Sequence, residues 1–431
     1  MRPAGPGSWR PWWVRVHRYV GLVMAVFLLV SGSTGALLPF HRQLDAWINP
    51  ELFIAPSHPR AEAPRDVLDL REGLERSIVG ASFSYVELDH DAPSSTAVFF
   101  ASYDPELVAD ADSRDDEFFV DRHNGRVLGS RKWGDITQGT VNFVPLCYRL
   151  HYTLGLGDVG RVLLGIIALL WTLDCFVGAY LTLPPRARRV RGRAEDDRPP
   201  RRSTRRWFLA WGRSWRVRTS SMFGFVFTWH RASGLWVWAM LLLVAWSSVA
   251  LNLDAVYSPV MRAVFESEDV YATLPRLEQP RTEPEVSWQG ARRLGRAAMQ
   301  DQAAAGGFTV LEERSLGYRP HSGLYTYKVL SSLDASVSHP NTTVWIDADT
   351  GAAVAFFAPT GRAEGDTVTT WLTALHFGAI SFTEGGREAS LGYRLFVMLV
   401  GLLVVGLSAS GLWIWWTKRA RRARASTAGG D

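Results

Sequence analysis

The sequence predicts a helical membrane protein: a four-span helix bundle built from two parallel repeats, with two extracytoplasmic α+β domains. Three observations predict it. Four windows, Tyr19–Phe40, Val162–Leu183, Ser233–Leu253 and Leu395–Trp416, are almost free of charge and close to the roughly 20 residues that cross a bilayer. Basic residues gather in three segments, while the long connections between windows carry most of the acids. Short phrases recur in the same order in the two halves of the chain.

Residues 1–18 form a cytoplasmic N-terminus, with Arg2, Arg10, Arg15 and Arg18 and no acid. Basic residues mark the inner side of a span. The first span, 19–40, reads as a retained helix and not as a cleaved signal peptide, because its apolar run exceeds the about 7–15 residues of such a segment. A first extracytoplasmic domain with an interface helix occupies 41–161, and the second span 162–183. The connection 184–232 returns to the cytoplasm with a dense basic run, thirteen Arg over 186–218 against Glu195, Asp196 and Asp197. Lipid of negative charge explains that run better than a nucleic acid does. The third span is 233–253, the second extracytoplasmic domain with its interface helix 254–394, and the fourth span 395–416. The tail 417–431 is again basic and cytoplasmic, with Lys418, Arg419, Arg421, Arg422 and Arg424. Two cysteines, Cys147 and Cys175, fall at different predicted depths and give no disulfide framework.

The repeat orders the rest. His17-Arg18-Tyr19-Val20-Gly21-Leu22 opens the first span, and His230-Arg231-Ala232-Ser233-Gly234-Leu235 opens the third. Leu44-Asp45-Ala46 with Pro50 follows the first span as Leu253-Asp254-Ala255 with Pro259 follows the third. Within the connections, Ala63–Val79 and Glu283–Met299 have helical periodicity. Phe83–Leu88, Ala97–Ser102 and Phe118–Asp121 read as strands, as do Phe308–Glu313, Leu324–Leu330 and Thr343–Asp347. The last strand of each set runs into Asp-x-x-x-Gly, Asp121 to Gly125 and Asp347 to Gly351, which is hairpin chemistry. Aromatic-rich segments Thr140–Leu156 and Thr367–Ile380 read as interface helices and carry Leu150-His151 and Leu375-His376. Such halves are related by an axis along the membrane normal.

A histidine at the mouth of a membrane helix is costly unless bonded, and is a functional candidate by default. Of ten histidines, His17, His230, His151 and His376 sit in repeated phrases. Symmetry pairs His17 with His230 near the inner face and His151 with His376 near the outer face. One histidine from each of two helices in an apolar bundle is a common way to hold haem with two axial ligands. The four histidines therefore predict two b-type haems and an electron path between the faces. Gly21, Gly32, Gly35 and Gly234 leave room for a flat ring, and Arg18 or Arg231 could meet a propionate. Zinc needs ligands that each pair lacks. A metal or proton path remains the rival, with Asp174 in the second span as its natural member. His41, His58, His90, His123, His321 and His339 have no partner in the repeat; His41 stands at the outer end of the first span, and the others read as solvated. The acidic cluster Asp112, Asp115, Asp116 and Glu117 also reads as a solvated loop. No Rossmann glycine pattern, P-loop, His-Glu-x-x-His or nucleophile elbow is present, so inside electrons have to come from a cytoplasmic partner or a quinol.

On these residues the chain resembles the PepSY-associated transmembrane helix family. The resemblance rests on the two His-Arg-x-x-Gly-Leu phrases, on Leu150-His151 and Leu375-His376, and on the two strand-Asp-x-x-x-Gly units, and it runs from about residue 11 to 418. It implies a bacterial inner-membrane protein linked to iron uptake, PepSY-like extracytoplasmic domains, and similarity to di-haem reductases that reduce ferric siderophores or other iron(III) chelates. It also implies an alternative, a membrane-anchored module that binds a peptide or protease. The chain departs from symmetry in one place: His151 lies near the second span, while Ile380–Ser390 separates His376 from the fourth.

Overall fold

The computed structural model describes residues 9–55, 63–88, 95–105, 107, 108, 110–184, 204–382, 386 and 388–427. Residues 185–203 of the basic connection, together with His58 and His90, lie outside the described residues. The α-helices are α1 (Arg10–Leu37), α2 (His41–Ile48), α3 (Pro50–Phe53), α4 (Val67–Ser77), α5 (Phe143–Thr153), α6 (Gly157–Thr182), α7 (Thr204–Gly212), α8 (Met222–Trp236), α9 (Trp238–Asn252), α10 (Asp254–Val264), α11 (Val270–Thr273), α12 (Trp288–Gly306), α13 (Glu364–Phe377) and α14 (Leu391–Thr427). The strands are β1 (Ala81–Ser82), β2 (Tyr85–Glu87), β3 (Thr96–Phe100), β4 (Ser102–Tyr103), β5 (Glu117–Asp121), β6 (Val127–Arg131), β7 (Val310–Arg319), β8 (Leu324–Ser331), β9 (Thr342–Asp347) and β10 (Ala353–Phe357). They form two compact units. One comprises Met1–Ala36, Leu150–Asp254 and Met398–Asp431; the other comprises Leu37–Arg149 and Ala255–Val397.

The first is a membrane unit. Apolar helices suit lipid because they satisfy every backbone polar group internally. Among the described residues, Arg10–Ile48, Gly157–Thr182 and Leu391–Arg424 are long and apolar enough to cross a bilayer, and α8 with α9 makes a fourth candidate as a bent pair. Arg10 caps α6, donating to Leu181 O at 2.6 Å and Leu183 O at 3.1 Å. Small residues let α1 and α14 close up: a Cβ on Gly401 would stand 3.0 Å from Gly32 O and from Ala36 N. Leu28, Cys175, Leu241 and Val404, one from each of α1, α6, α9 and α14, share an apolar cluster.

The third window departs from expectation. The sequence predicts one span over 233–253, but α8 and α9 meet at a bend of 70°. The break falls at Val237, between Trp236 and Trp238, three residues past Gly234. Ser233 Oγ bonds back to Trp229 O at 2.7 Å, a back-bond that weakens and bends a helix. Past the break, Trp238 Nε1 donates to Cys175 O at 2.8 Å and sets the new direction of α9 against α6.

The second unit is α+β. A five-stranded antiparallel sheet has the order β10-β9-β8-β7-β2, beside a three-stranded sheet β3-β5-β6 and a two-stranded ribbon β1-β4. The sequence places one domain in each long connection; here both connections pack into one unit. Strand β2 carries Tyr85, Val86 and Glu87 opposite Gly317, Leu316 and Ser315 of β7, so a strand of the first connection edges the sheet of the second. The reason is burial: Phe83, Val86 and Leu88 join one core with Val67, Leu68 and Leu70 of α4, Ala291 and Met299 of α12, and Tyr325, Tyr327 and Ile346. The sheets also extend beyond the predicted strands, with β6 and β10 continuing from the two Asp-x-x-x-Gly turns. Gly125 has φ +77° and Gly351 φ +73°, the left-handed conformation those turns require. Asp66 caps α4 by accepting from Leu68 N at 2.9 Å, and Ser287 caps α12 by accepting from Gly290 N at 3.2 Å.

Of the acidic cluster, Asp112 is exposed as expected, but Asp115, Asp116 and Glu117 are not a solvated loop. Glu117 opens β5, is 5% exposed, and pairs with Arg131, which also binds Asp45 at 2.7 Å. Asp116 pairs with Lys132 at 2.9 Å, and Asp115 accepts from Ser130 Oγ and Gln138 Nε2, each at 2.7 Å. The strand pairing sets Arg131 of β6 opposite Glu117 of β5, which the local charge run does not reveal.

Candidate functional site in the membrane unit

Four helices converge on one pair of imidazoles. His17 comes from α1, and Asp174 from α6 accepts from its Nδ1 with both carboxylate oxygens, at 3.0 and 2.9 Å. The Asp174 side chain is 8% exposed. A buried carboxylate in an apolar helix is costly without a charged or hydrogen-bonded partner, and His17 supplies it. His230 comes from α8. Its Nδ1 lies 3.1 Å from Leu407 O and 2.8 Å from Ser410 Oγ, both on α14. A carbonyl oxygen only accepts, so the Nδ1 of His230 carries the proton, as the carboxylate dictates for His17.

The two rings stand 6.4 Å apart, centroid to centroid, with planes at 62°. Each presents Nε2 as the nitrogen not engaged in these bonds. Two imidazoles bound to one metal through about 2.0 Å bonds place their centroids roughly 6 Å apart. The pair therefore fits a metal held between two histidines, with the second nitrogen of each ring fixed as metal-ligating histidines usually are. Beside the rings the helices carry glycine: a Cβ on Gly178 would lie 3.7 Å from His17 Cε1, and one on Gly411 would lie 3.5 Å from His230 Cε1. Gly21 has open space around its Cβ position.

Not every small residue serves a ring in this way. Gly32 serves the crossing of α1 with α14, and a Cβ there would meet Gly401 O at 3.1 Å. Gly35 serves His151: a Cβ there would lie 2.6 Å from His151 Cε1. Gly234 has Leu407 at 3.8 Å. Arg231 is also engaged locally, donating to Arg213 O at 3.0 Å over the Phe227 ring.

His151, in the last turn of α5, packs on α1. Its Nδ1 lies 3.0 Å from Ser31 O and 3.3 Å from Thr34 Oγ1. Ser31 Oγ is buried there without a hydrogen-bond partner among the described residues. His376 ends α13 in the α+β unit, with its ring 5.8 Å from that of Phe377. The structure thus brings His17 and His230 together within one unit, whereas His151 and His376 belong to different units. His41 bonds Leu38 O at 2.8 Å and sits 5.9 Å from the Tyr148 ring; His339 lies 4.8 Å from the Phe377 ring.

Sequence reasoning did not find Ser410 or the Leu407 carbonyl as partners of His230, nor Ser31 and Thr34 as partners of His151. The available signal was the set of polar residues inside apolar helices, Ser31, Thr34, Ser408 and Ser410. Among the described residues, no group of three or more His, Cys, Asp and Glu is arranged to hold a metal ion by itself.

A search of curated proteins returned no match. The model of the family described as PepSY-associated TM region matches residues 14–418, a stretch that includes all four repeated histidines. The chain belongs to that family.

Proposed function

We propose that the protein carries electrons across a bacterial inner membrane through two b-type haems to an extracytoplasmic acceptor, an iron(III) chelate such as a ferric siderophore. The observation that carries this reading is the pair His17 and His230, with ring centroids 6.4 Å apart and both Nδ1 atoms engaged. His17 and His230 would hold one haem, and His151 would serve the second. Bound haem supplies a one-electron couple that no side chain here offers. The protein's own residues do the rest. Asp174 and the Leu407 carbonyl fix the two rings, and the apolar helices exclude water. The basic segments set both termini on the cytoplasmic side, which orients the path outward.

Each electron reduces one iron(III) to iron(II). A quinol donor releases two electrons and two protons as it becomes a quinone, so one quinol serves two chelates; a one-electron cytoplasmic donor serves one. Reduction matters because iron(III) is the harder ion and binds chelate oxygens more tightly, so iron(II) leaves the chelator more readily. The test is a visible spectrum of the purified protein, expressed with adequate haem, before and after dithionite. The expected result is a haem band that sharpens on reduction. No haem absorption rejects the reading.

A second reading has its own observation. A buried carboxylate bonded to histidine inside a span also marks proton and cation paths. Proteoliposome flux separates the two: proton or metal-ion movement without any redox partner favours the path, and chelate reduction that needs an internal reductant favours electron transfer.

A further inference from the structure

The partners of the membrane histidines differ in charge. His17 Nδ1 meets the carboxylate of Asp174 at 2.9 Å. His230 Nδ1 meets a carbonyl and a hydroxyl, and His151 Nδ1 meets the carbonyl of Ser31. Asp174 brings a full charge to the His17–His230 site, held against one imidazole edge and shielded from water. Its charge reaches the far nitrogen of that imidazole in two ways. The hydrogen bond draws the Nδ1 proton toward oxygen and makes Nε2 a stronger electron donor. The negative charge itself acts through a medium of low dielectric. Both effects favour iron(III) over iron(II), so they have the same sign.

We infer that Asp174 is a positioning residue that sets the reduction potential of the His17–His230 site below that of the site at His151, and so gives the electron path its direction. The inference rests on the haem reading above. With haem bound at both sites, one electron would pass from the lower-potential site, oxidised from iron(II) to iron(III), to the other, reduced from iron(III) to iron(II). No bond or proton changes hands in that step. A merely structural Asp174, tying α6 to α1, would hold the helices and leave the potential alone.

The experiment is a potentiometric titration of the full chain, haem-replete, for the wild type and for His17→Ala, Asp174→Asn and Asp174→Glu. His17→Ala is expected to remove the lower-potential wave. Asp174→Asn keeps a hydrogen-bonding group of the same shape without the charge. It is expected to keep its haem and to move that wave upward by at least a tenfold change in the reduction equilibrium, ~59 mV for one electron. Asp174→Glu is expected to bring the wave back toward the wild-type position. Loss of the upper wave in His17→Ala, or an unmoved wave in Asp174→Asn, overturns the inference while leaving the haem reading intact. Should Asp174→Asn hold no haem at this site, Asp174→Glu decides: a wave near the wild-type position supports the role of charge, and a tenfold rise overturns it. A wild-type protein without haem absorption overturns the underlying reading and the inference together, and is recognised because no variant then gives a spectrum.

Discussion

At the scale of residues, positions are held by one or two close contacts, and those contacts can be tested singly. Gly35 is one, since any side chain there would displace the His151 ring, at 2.6 Å from a Cβ to Cε1. Gly35→Ala is expected to break the bond from His151 Nδ1 to Ser31 O and to weaken haem retention at that site by about 10–100-fold, leaving the His17–His230 site loaded. Haem content per chain, with the band of each site followed separately, checks it. Glu313 is another. Burial raises its pKa, but bonds from Arg296 and Arg292 and from the Tyr327 hydroxyl outweigh burial and bring it from 4.5 down to about 2. A carboxyl with a depressed folded-state pKa stabilises the fold above its unfolded value. That contribution, on the order of 2 kcal/mol given how exposed Arg296 is, is lost as the pH falls from 4.5 toward 2. Melting temperatures of the whole protein across that range are expected to drop, and Glu313→Gln is expected to flatten the drop. The sequence showed His17 and His230 because histidine stands out in an apolar helix. Leu407 stayed hidden because its contribution is a backbone carbonyl, which no side-chain pattern encodes.

At the scale of elements, local chemistry was legible and long-range pairing was not. Both Asp-x-x-x-Gly turns form as their residues dictate, with the Gly125 N–H donating to Asp121 O at 2.9 Å and the Gly351 N–H donating to Asp347 O at 3.0 Å. Of the predicted interface segments, Thr140–Leu156 contains α5, and Thr367–Ile380 overlaps α13, which starts earlier, at Glu364; α4 lies inside Ala63–Val79, and α12 overlaps Glu283–Met299 but runs on to Gly306. The bend between α8 and α9 was missed because hydropathy is blind to it: the apolar run continues straight through Val237, where the helix turns. The pairing of β2 with β7 was missed for another reason. Alternation tells a strand which face to bury and says nothing of its neighbour. Leu88, next to β2 and fully buried, tests that pairing. Leu88→Ala is expected to cost about 2–5 kcal/mol. Because β2 belongs to the common core, the loss is expected to lower one shared unfolding transition of the α+β unit, read by calorimetry. Two separate transitions, with only one shifted, would contradict a single core.

At the scale of the whole molecule, composition and charge disclosed a membrane protein, and the family match over residues 14–418 agrees. The shared core of the α+β unit was beyond sequence reasoning, since Val67 and Ile346 give no sign that they meet in one cluster. The functional account gathers on the membrane unit, where α1, α6, α8 and α14 bring two histidines and their partners to one place. Its central claim is that His17 and His230 hold one haem between them. The most direct test is the number of haems per chain in the wild type and in His17→Ala, His230→Ala and His321→Ala, the last at an exposed histidine of the α+β unit. The account predicts two haems in the wild type and in His321→Ala, and one in each of the other two variants. Two haems in both His17→Ala and His230→Ala would contradict it.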